Sequence, residues 1–134
     1  MVFDMPVDRK AATREILLGF WKVHILYHAA EGPVVGQWMI EELRRHGYNV
    51  SPGTMYPLLA RMRRNGWLSC EVSGRGPRAR RNYRLTREGA AVLRLVKRQL
   101  RELHHEAIED HSPRRINASH RKSHVRPTKS KTGQ

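Results

Sequence analysis

SPGTMYPLLARMRRNG, residues Ser51–Gly66, has the pattern of a short helix with one apolar face and one cationic face. Ser51 suits the N-cap, where a hydroxyl accepts a hydrogen bond from an orphan N–H of the first turn. Pro52 suits the first helical position, since no N–H is needed there and φ is already set. Met55, Leu58, Leu59 and Met62 recur at helical spacing and form one apolar stripe. Thr54, Pro57, Arg61 and Arg64 fall on the other side, and Arg63 adds a guanidinium near the C-terminal end. Asn65-Gly66 then stops the helix with a left-handed residue. Pro57 is the oddity. It removes a backbone hydrogen bond and presses on the preceding turn, a cost without purpose in a purely structural helix. A small kink there would tune how the helix start meets a groove.

The neighbouring segments extend this pattern. Gly36–His46 predicts a second helix with Met39, Ile40 and Leu43 inward and Glu41, Glu42, Arg44 and Arg45 outward. Gly47 caps it, and Tyr48-Asn49-Val50 makes a short turn into the Ser51 helix, which is a helix-turn-helix arrangement. Upstream, about Arg9 to Ala30 predicts a longer helix, although Gly19 weakens it by roughly 1 kcal/mol against Ala. Ile16, Phe20, Val23, Tyr27 and Ala30 make one stripe, and Leu18, Trp21, Ile25 and His28 a second. A helix that is apolar on two sides is usually buried on two sides, and in a chain this small a second subunit covers the second side most easily. Glu31-Gly32-Pro33 ends it.

Downstream, Leu68, Cys70 and Val72 alternate on one face of a strand. Ser73-Gly74-Arg75-Gly76-Pro77 is turn chemistry, and Tyr83 and Leu85 point inward from a return strand. The result is a β-hairpin with Arg75, Arg78, Arg80 and Arg81 at its tip and return strand. Thr86 caps a last helix in which Leu93, Val96, Leu100, Leu103 and Ala107 step at heptad spacing, a seam too short to be stable alone. The expected fold is mainly α with a small β-hairpin, a winged helix-turn-helix plus a C-terminal dimerisation helix. Its parts are a flexible N-terminus (1–8), the winged domain (9–87), the dimerisation helix (88–110) and a disordered basic tail (111–134), which lacks any apolar period.

The 134 residues carry a formal net charge of +14, from 26 Lys and Arg against 12 acids. Such a surplus implies a polyanionic partner. The tail supplies half of it: residues 111–134 hold seven Lys or Arg and no acid. The folded part is basic in its own right, with eleven Lys or Arg and only Glu71 as an acid between Arg44 and Arg87. The single cysteine, Cys70, excludes an intramolecular disulfide and a CxxC metal site; it reads as a small buried hydrophobe. No stretch approaches the ~20 apolar residues that span a bilayer, and the N-terminus lacks the order of a signal peptide. A cytoplasmic protein without a membrane partner is expected.

The sequence resembles the PadR-type bacterial transcriptional regulators. The resemblance rests on Ser51-Pro52-Gly53-Thr54-Met55-Tyr56-Pro57-Leu58-Leu59, on Arg61-Met62 through Gly66-Trp67-Leu68, and on Tyr83-Arg84-Leu85-Thr86 through Gly89. Ala30-Glu31-Gly32-Pro33 ahead of Gly36 fits as well, and the likeness covers about Leu17 to Leu103. It implies a homodimeric DNA-binding repressor of the short kind, with a single C-terminal helix, associated with the bacterial nucleoid. It also implies that the Ser51–Asn65 helix enters the major groove of a double-stranded operator with the wing beside it. The first and last helices would form the dimer, which in several members shelters a small-molecule effector. The Arg-rich wing and the basic tail depart from the pattern.

Ser51, Gly53, Thr54 and Tyr56 sit at the helix start, where free N–H groups and the dipole favour a phosphate; Tyr56 is alternatively a core residue. Together with Pro57, Arg61, Arg64, Arg75, Arg78 and Arg80 they make up the expected DNA-binding set. Arg61, Arg63 and Arg64 suit phosphates or bases, and Arg75 and Arg78 suit a narrow minor groove. Trp21, His24, Ile25, His28, Leu93, Val96, Leu100 and Leu103 are expected at an effector pocket or dimer interface, with Trp38 lining a cavity or packing in the core. His24 and His28 have a metal-binding spacing but no third ligand at a telling position. His104, His105 and His111, with Glu106, Glu109 and Asp110, read as a solvated helix end. No metal, cofactor or catalytic constellation is expected, so the chain reads as a non-enzyme. A non-specific architectural DNA-binding protein and a winged-helix scaffold for protein partners are the alternatives.

Overall fold

Asp8 starts the first helix: its carboxylate accepts a hydrogen bond from the Ala11 N–H at 3.0 Å. From there the elements follow as α1 (Arg9–Ala12), a π-helical stretch (Thr13–Leu17), α2 (Leu18–Glu31), α3 (Gly36–Arg45), α4 (Pro52–Arg64), β1 (Leu68–Ser73), a 3₁₀ turn (Gly76–Arg78), β2 (Arg80–Leu85) and α5 (Arg87–His104). A computed structural model describes residues 6–109. The expected disordered tail, with Asp110 and His111, lies outside the described residues, as does most of the expected loose N-terminus. The chain divides into two units, Met1–Arg101 and Glu102–Gln134. The described part of the second unit is the end of α5 and a π-helical turn, His105–Glu109, in which Glu109 lies 3.1 Å from His104 and 3.5 Å from His105.

In the first unit, α2, α3 and α4 pack around one apolar core and the hairpin closes it. α2 contributes Trp21, Ile25, Leu26 and Ala29, and α3 contributes Met39, Ile40 and Leu43. The expected stripe of α4, Met55, Leu58, Leu59 and Met62, is buried as a whole. Burial of a side chain of this size stabilises by roughly 1.5–3 kcal/mol, so this stripe fixes which face of α4 is left outside. Both α3 and α4 end in a complete left-handed cap. Gly47 (φ +87) and Gly66 (φ +82) take the conformation that L side chains avoid. The paired bonds follow: Tyr48 N–H to Leu43 and Gly47 N–H to Arg44, then Trp67 N–H to Met62 and Gly66 N–H to Arg63.

The strands pair antiparallel with Leu68 opposite Leu85, Cys70 opposite Tyr83 and Val72 opposite Arg81. A third segment joins them: Val34 and Tyr83 exchange backbone hydrogen bonds at 2.9 and 2.8 Å. Val72, expected inward with Leu68 and Cys70, is exposed, because the core ends before the hairpin does. Thr86 does cap α5, accepting from the Gly89 N–H at 3.0 Å while its hydroxyl donates to the Gly66 carbonyl. Among the described residues, no helix is long and apolar enough to cross a membrane.

The run from α1 through α2, read from the sequence as one first helix, has the expected two sides. Trp21 and Ile25 are buried, whereas Ile16, Phe20 and Tyr27 are 58%, 40% and 44% exposed. Of the residues expected at a pocket or dimer face, Trp21, Ile25 and Leu93 are buried. Trp21 and Ile25 lie in the protomer's own core, Trp21 with its ring edge against Tyr48, and Leu93 is 5% exposed.

Candidate nucleic-acid interface

α4 presents a polar surface outside its buried stripe. Gly53, Tyr56, Pro57, Arg61, Arg63 and Arg64 are all exposed, and the three guanidinium groups lie in the last turns of the helix. Cations there also complement the negative end of the helix dipole. Among the described residues, no carboxylate lies within ion-pair distance of these three or of Arg75, Arg78, Arg80 and Arg81. The arginine ion pairs among the described residues are elsewhere, Arg45 with Glu42 and Arg84 with Glu71. Pro57 stands inside α4, which runs through it as one element.

At the start of α4 the Ser51 hydroxyl does not cap. It bonds the Thr54 hydroxyl at 3.3 Å, and the Ser51 carbonyl instead takes the Thr54 and Met55 N–H groups at 3.0 and 2.9 Å. The hydroxyl pair leaves no side chain over the first N–H groups, which suits an anion there. Around Gly53, the space where a side chain would stand meets only the Ser51 hydroxyl, at 3.7 Å. A backbone can therefore approach closely.

The expected residues do not form one cluster. Tyr56, Arg78 and Arg80 come together around a groove of about 830 Å³ between the α3 start, α4 and the wing. Tyr56 is half outside: its ring packs on Gly36, where an added Cβ would stand 2.6 Å from the ring, and 47% of it is exposed. Ser51 and Thr54 line a separate cleft of about 650 Å³ with Arg9 and Tyr48. Arg61, Arg64 and Arg75 stand clear of both. Arg9, Gln37 and Arg81, outside the expected DNA-binding set, also line these grooves. Arg81 was visible as part of the hairpin, but nothing local marks Arg9 and Gln37 as neighbours of these grooves.

Elsewhere, Phe20, Val23, His24, Tyr27, His28, Leu93, Lys97 and Leu100 surround an apolar cleft of about 540 Å³. Four of the residues expected at a pocket or interface are thus brought together: His24, His28, Leu93 and Leu100. Val96 is half-buried, and Leu103 is exposed in the second unit. Trp38, 44% exposed, sets its ring edge-on to His28, outside the core. The histidines have a third partner after all. His46 brings its ring to 5.0 Å from that of His24, and all three imidazoles offer donor atoms within 4.8 Å of one another. Burial, then the neighbouring His46 and His28, push the His24 pKa below the ordinary histidine value.

The profile of the transcriptional regulator PadR-like family matches residues 25–95. The transcriptional regulator Rv3488 of Mycobacterium tuberculosis is 46% identical over 95 residues, covering 71% of this chain and 89% of that protein. Among solved structures, a PadR family transcriptional regulator from Eggerthella lenta superposes with a TM-score of 0.60 at 32% identity, covering 70% of this chain and 83% of that one. A PadR-like transcription factor from Bacteroides fragilis gives 0.64 at 26%, covering 72% and 95%. The matched span holds the second half of α2, α3, the capped α4 with its arginine edge and the hairpin, and this chain belongs to the PadR-like family of transcriptional regulators.

Proposed function

We propose that the protein is a homodimeric repressor that reads a partly palindromic operator with one α4 per half-site. It works in the bacterial cytoplasm, on the nucleoid. The observation that carries this is the exposed surface of α4: Arg61, Arg63 and Arg64 stand in solvent beside a buried stripe, with no acid paired to them among the described residues. Tyr56, Pro57, Gly53, Thr54 and Ser51 give the helix start its approach to phosphates, and Arg75, Arg78 and Arg80 extend the contact along the wing. The exposed apolar side chains of the first helix, Ile16, Phe20 and Tyr27, with half-buried Val96 and Leu100 of α5, support a second copy as the cover. The cleft walled by Phe20, His24, Tyr27 and Leu100 supports release by a small, largely apolar effector held beside that interface.

The test begins with recovery of the genomic fragments bound by the protein, followed by titration of the recovered duplex. Arg61→Ala and Arg64→Ala should each weaken binding to that duplex by about 10-fold or more, about 1.4 kcal/mol. Unchanged titrations for both variants, or equal affinity for operator and random duplex, would contradict the proposal.

A further inference from the structure

We propose that His24, His28 and His46, with the Glu42 carboxylate beside them, form a binding site for a divalent transition-metal cation of the zinc type. The site is assembled from two elements. His24 and His28 are one turn apart on α2, so their rings lie on one face, nearly parallel at 12°. His46 is the C-cap residue of α3, held in place by the left-handed turn that follows it. Donor atoms of the three rings already lie within 4.8 Å of one another. Glu42 completes the set: one of its oxygens is 3.4 Å from His46 Nε2 and 3.7 Å from His28 Nε2, with only 14% of its side chain exposed.

Three imidazoles and a carboxylate are a donor set suited to zinc and its neighbours. Tetrahedral zinc, with bonds of about 2.0–2.1 Å, holds its donors roughly 3.3 Å apart. Small side-chain rotations therefore close the cluster. His28 turns Nε2 to Glu42, and its Nδ1, buried without a hydrogen-bond partner, lies 3.7 Å from a Glu31 carboxylate oxygen that would orient the ring as Nε2 takes the cation. The neighbouring cleft gives a cation a route in. Once bound, it would fasten α2 to the end of α3, one short turn before α4.

The test uses the untagged full-length chain with Co²⁺ alone as a spectroscopic probe, followed by displacement with Zn²⁺. One equivalent of Co²⁺ per chain should give the intense visible absorption of a four-coordinate ion, and Zn²⁺ should abolish it. His46→Gln changes an exposed ring at a helix end, and should lower the affinity by at least about 10–100-fold. His24→Gln should do the same, and serves as the second variant if the first misfolds. The double variant His104→Gln/His105→Gln should bind as the parent does. Absence of the Co²⁺ band from the parent, its survival in both single variants, or its loss in the double variant would overturn the site. None of these readouts involves DNA, so they stand apart from the operator-binding proposal.

Discussion

Single residues set the junctions on which the site depends. At Gly89 an added Cβ would collide with the Trp67 carbonyl, a backbone group that cannot swing away, and would stand 2.7 Å from a Leu85 methyl. Thr86 meets the same turn, its N–H donating to the Trp67 carbonyl at 3.1 Å and its hydroxyl to Gly66. The start of α5 is thereby bolted to the end of α4. Gly89→Ala should lower stability by about 1–3 kcal/mol or more, as overpacking does; a urea midpoint equal to that of the parent would contradict this junction. Some of this was legible. Thr86 could be read as a cap and Gly66 as a stop, because each acts within four residues of itself. The clash at Gly89 could not, because it depends on how closely two distant segments cross. Ser51 illustrates the limit from the other side: its residue type suits a cap, but its hydroxyl bonds Thr54.

The elements were legible wherever apolar residues recur with a strong period. The stripes of α3 and α4 and the inward Tyr83 stand where their spacing puts them, because burial of one face decides both period and position. The segment at Val34 was not legible: one bridge to Tyr83 leaves no alternation to read. Nor was the end of the core along the hairpin, which leaves Val72 outside. The wing carries its cations beyond that end, with Arg75 and Arg78 around the 3₁₀ turn and Arg80 at the start of β2. If Arg75 and Arg78 each neutralise a phosphate, replacing both with Ala should reduce the slope of log K against log salt by roughly 0.9 per contact, about 1.8 together. A slope unchanged within error would place the wing off the duplex.

On the scale of the whole molecule, two sides of the first helix were legible as apolar, but not which side its own core would take. Trp21 and Ile25 went inward and Phe20 and Tyr27 were left outside. Likewise His46 is far in sequence from His24 and His28, and only the packing of α3 on α2 brings it to them. If Phe20 lies under a second copy, Phe20→Glu should convert the dimer to a monomer in sedimentation while the thermal transition persists. Operator affinity should then fall by about 10²–10⁴-fold, the advantage that linked half-sites confer. A dimer that survives the charge would move the interface elsewhere. In the proposed dimer, a paired scaffold holds two copies of α4 outward over one face of a duplex. Hydroxyl-radical footprinting of the recovered operator tests it most directly. Two protected patches should appear with centres one helical turn apart, ~34 Å, and both should vanish with the double variant Arg61→Ala/Arg64→Ala. A single unbroken footprint that ignores sequence, or two patches that persist in that variant, would contradict it.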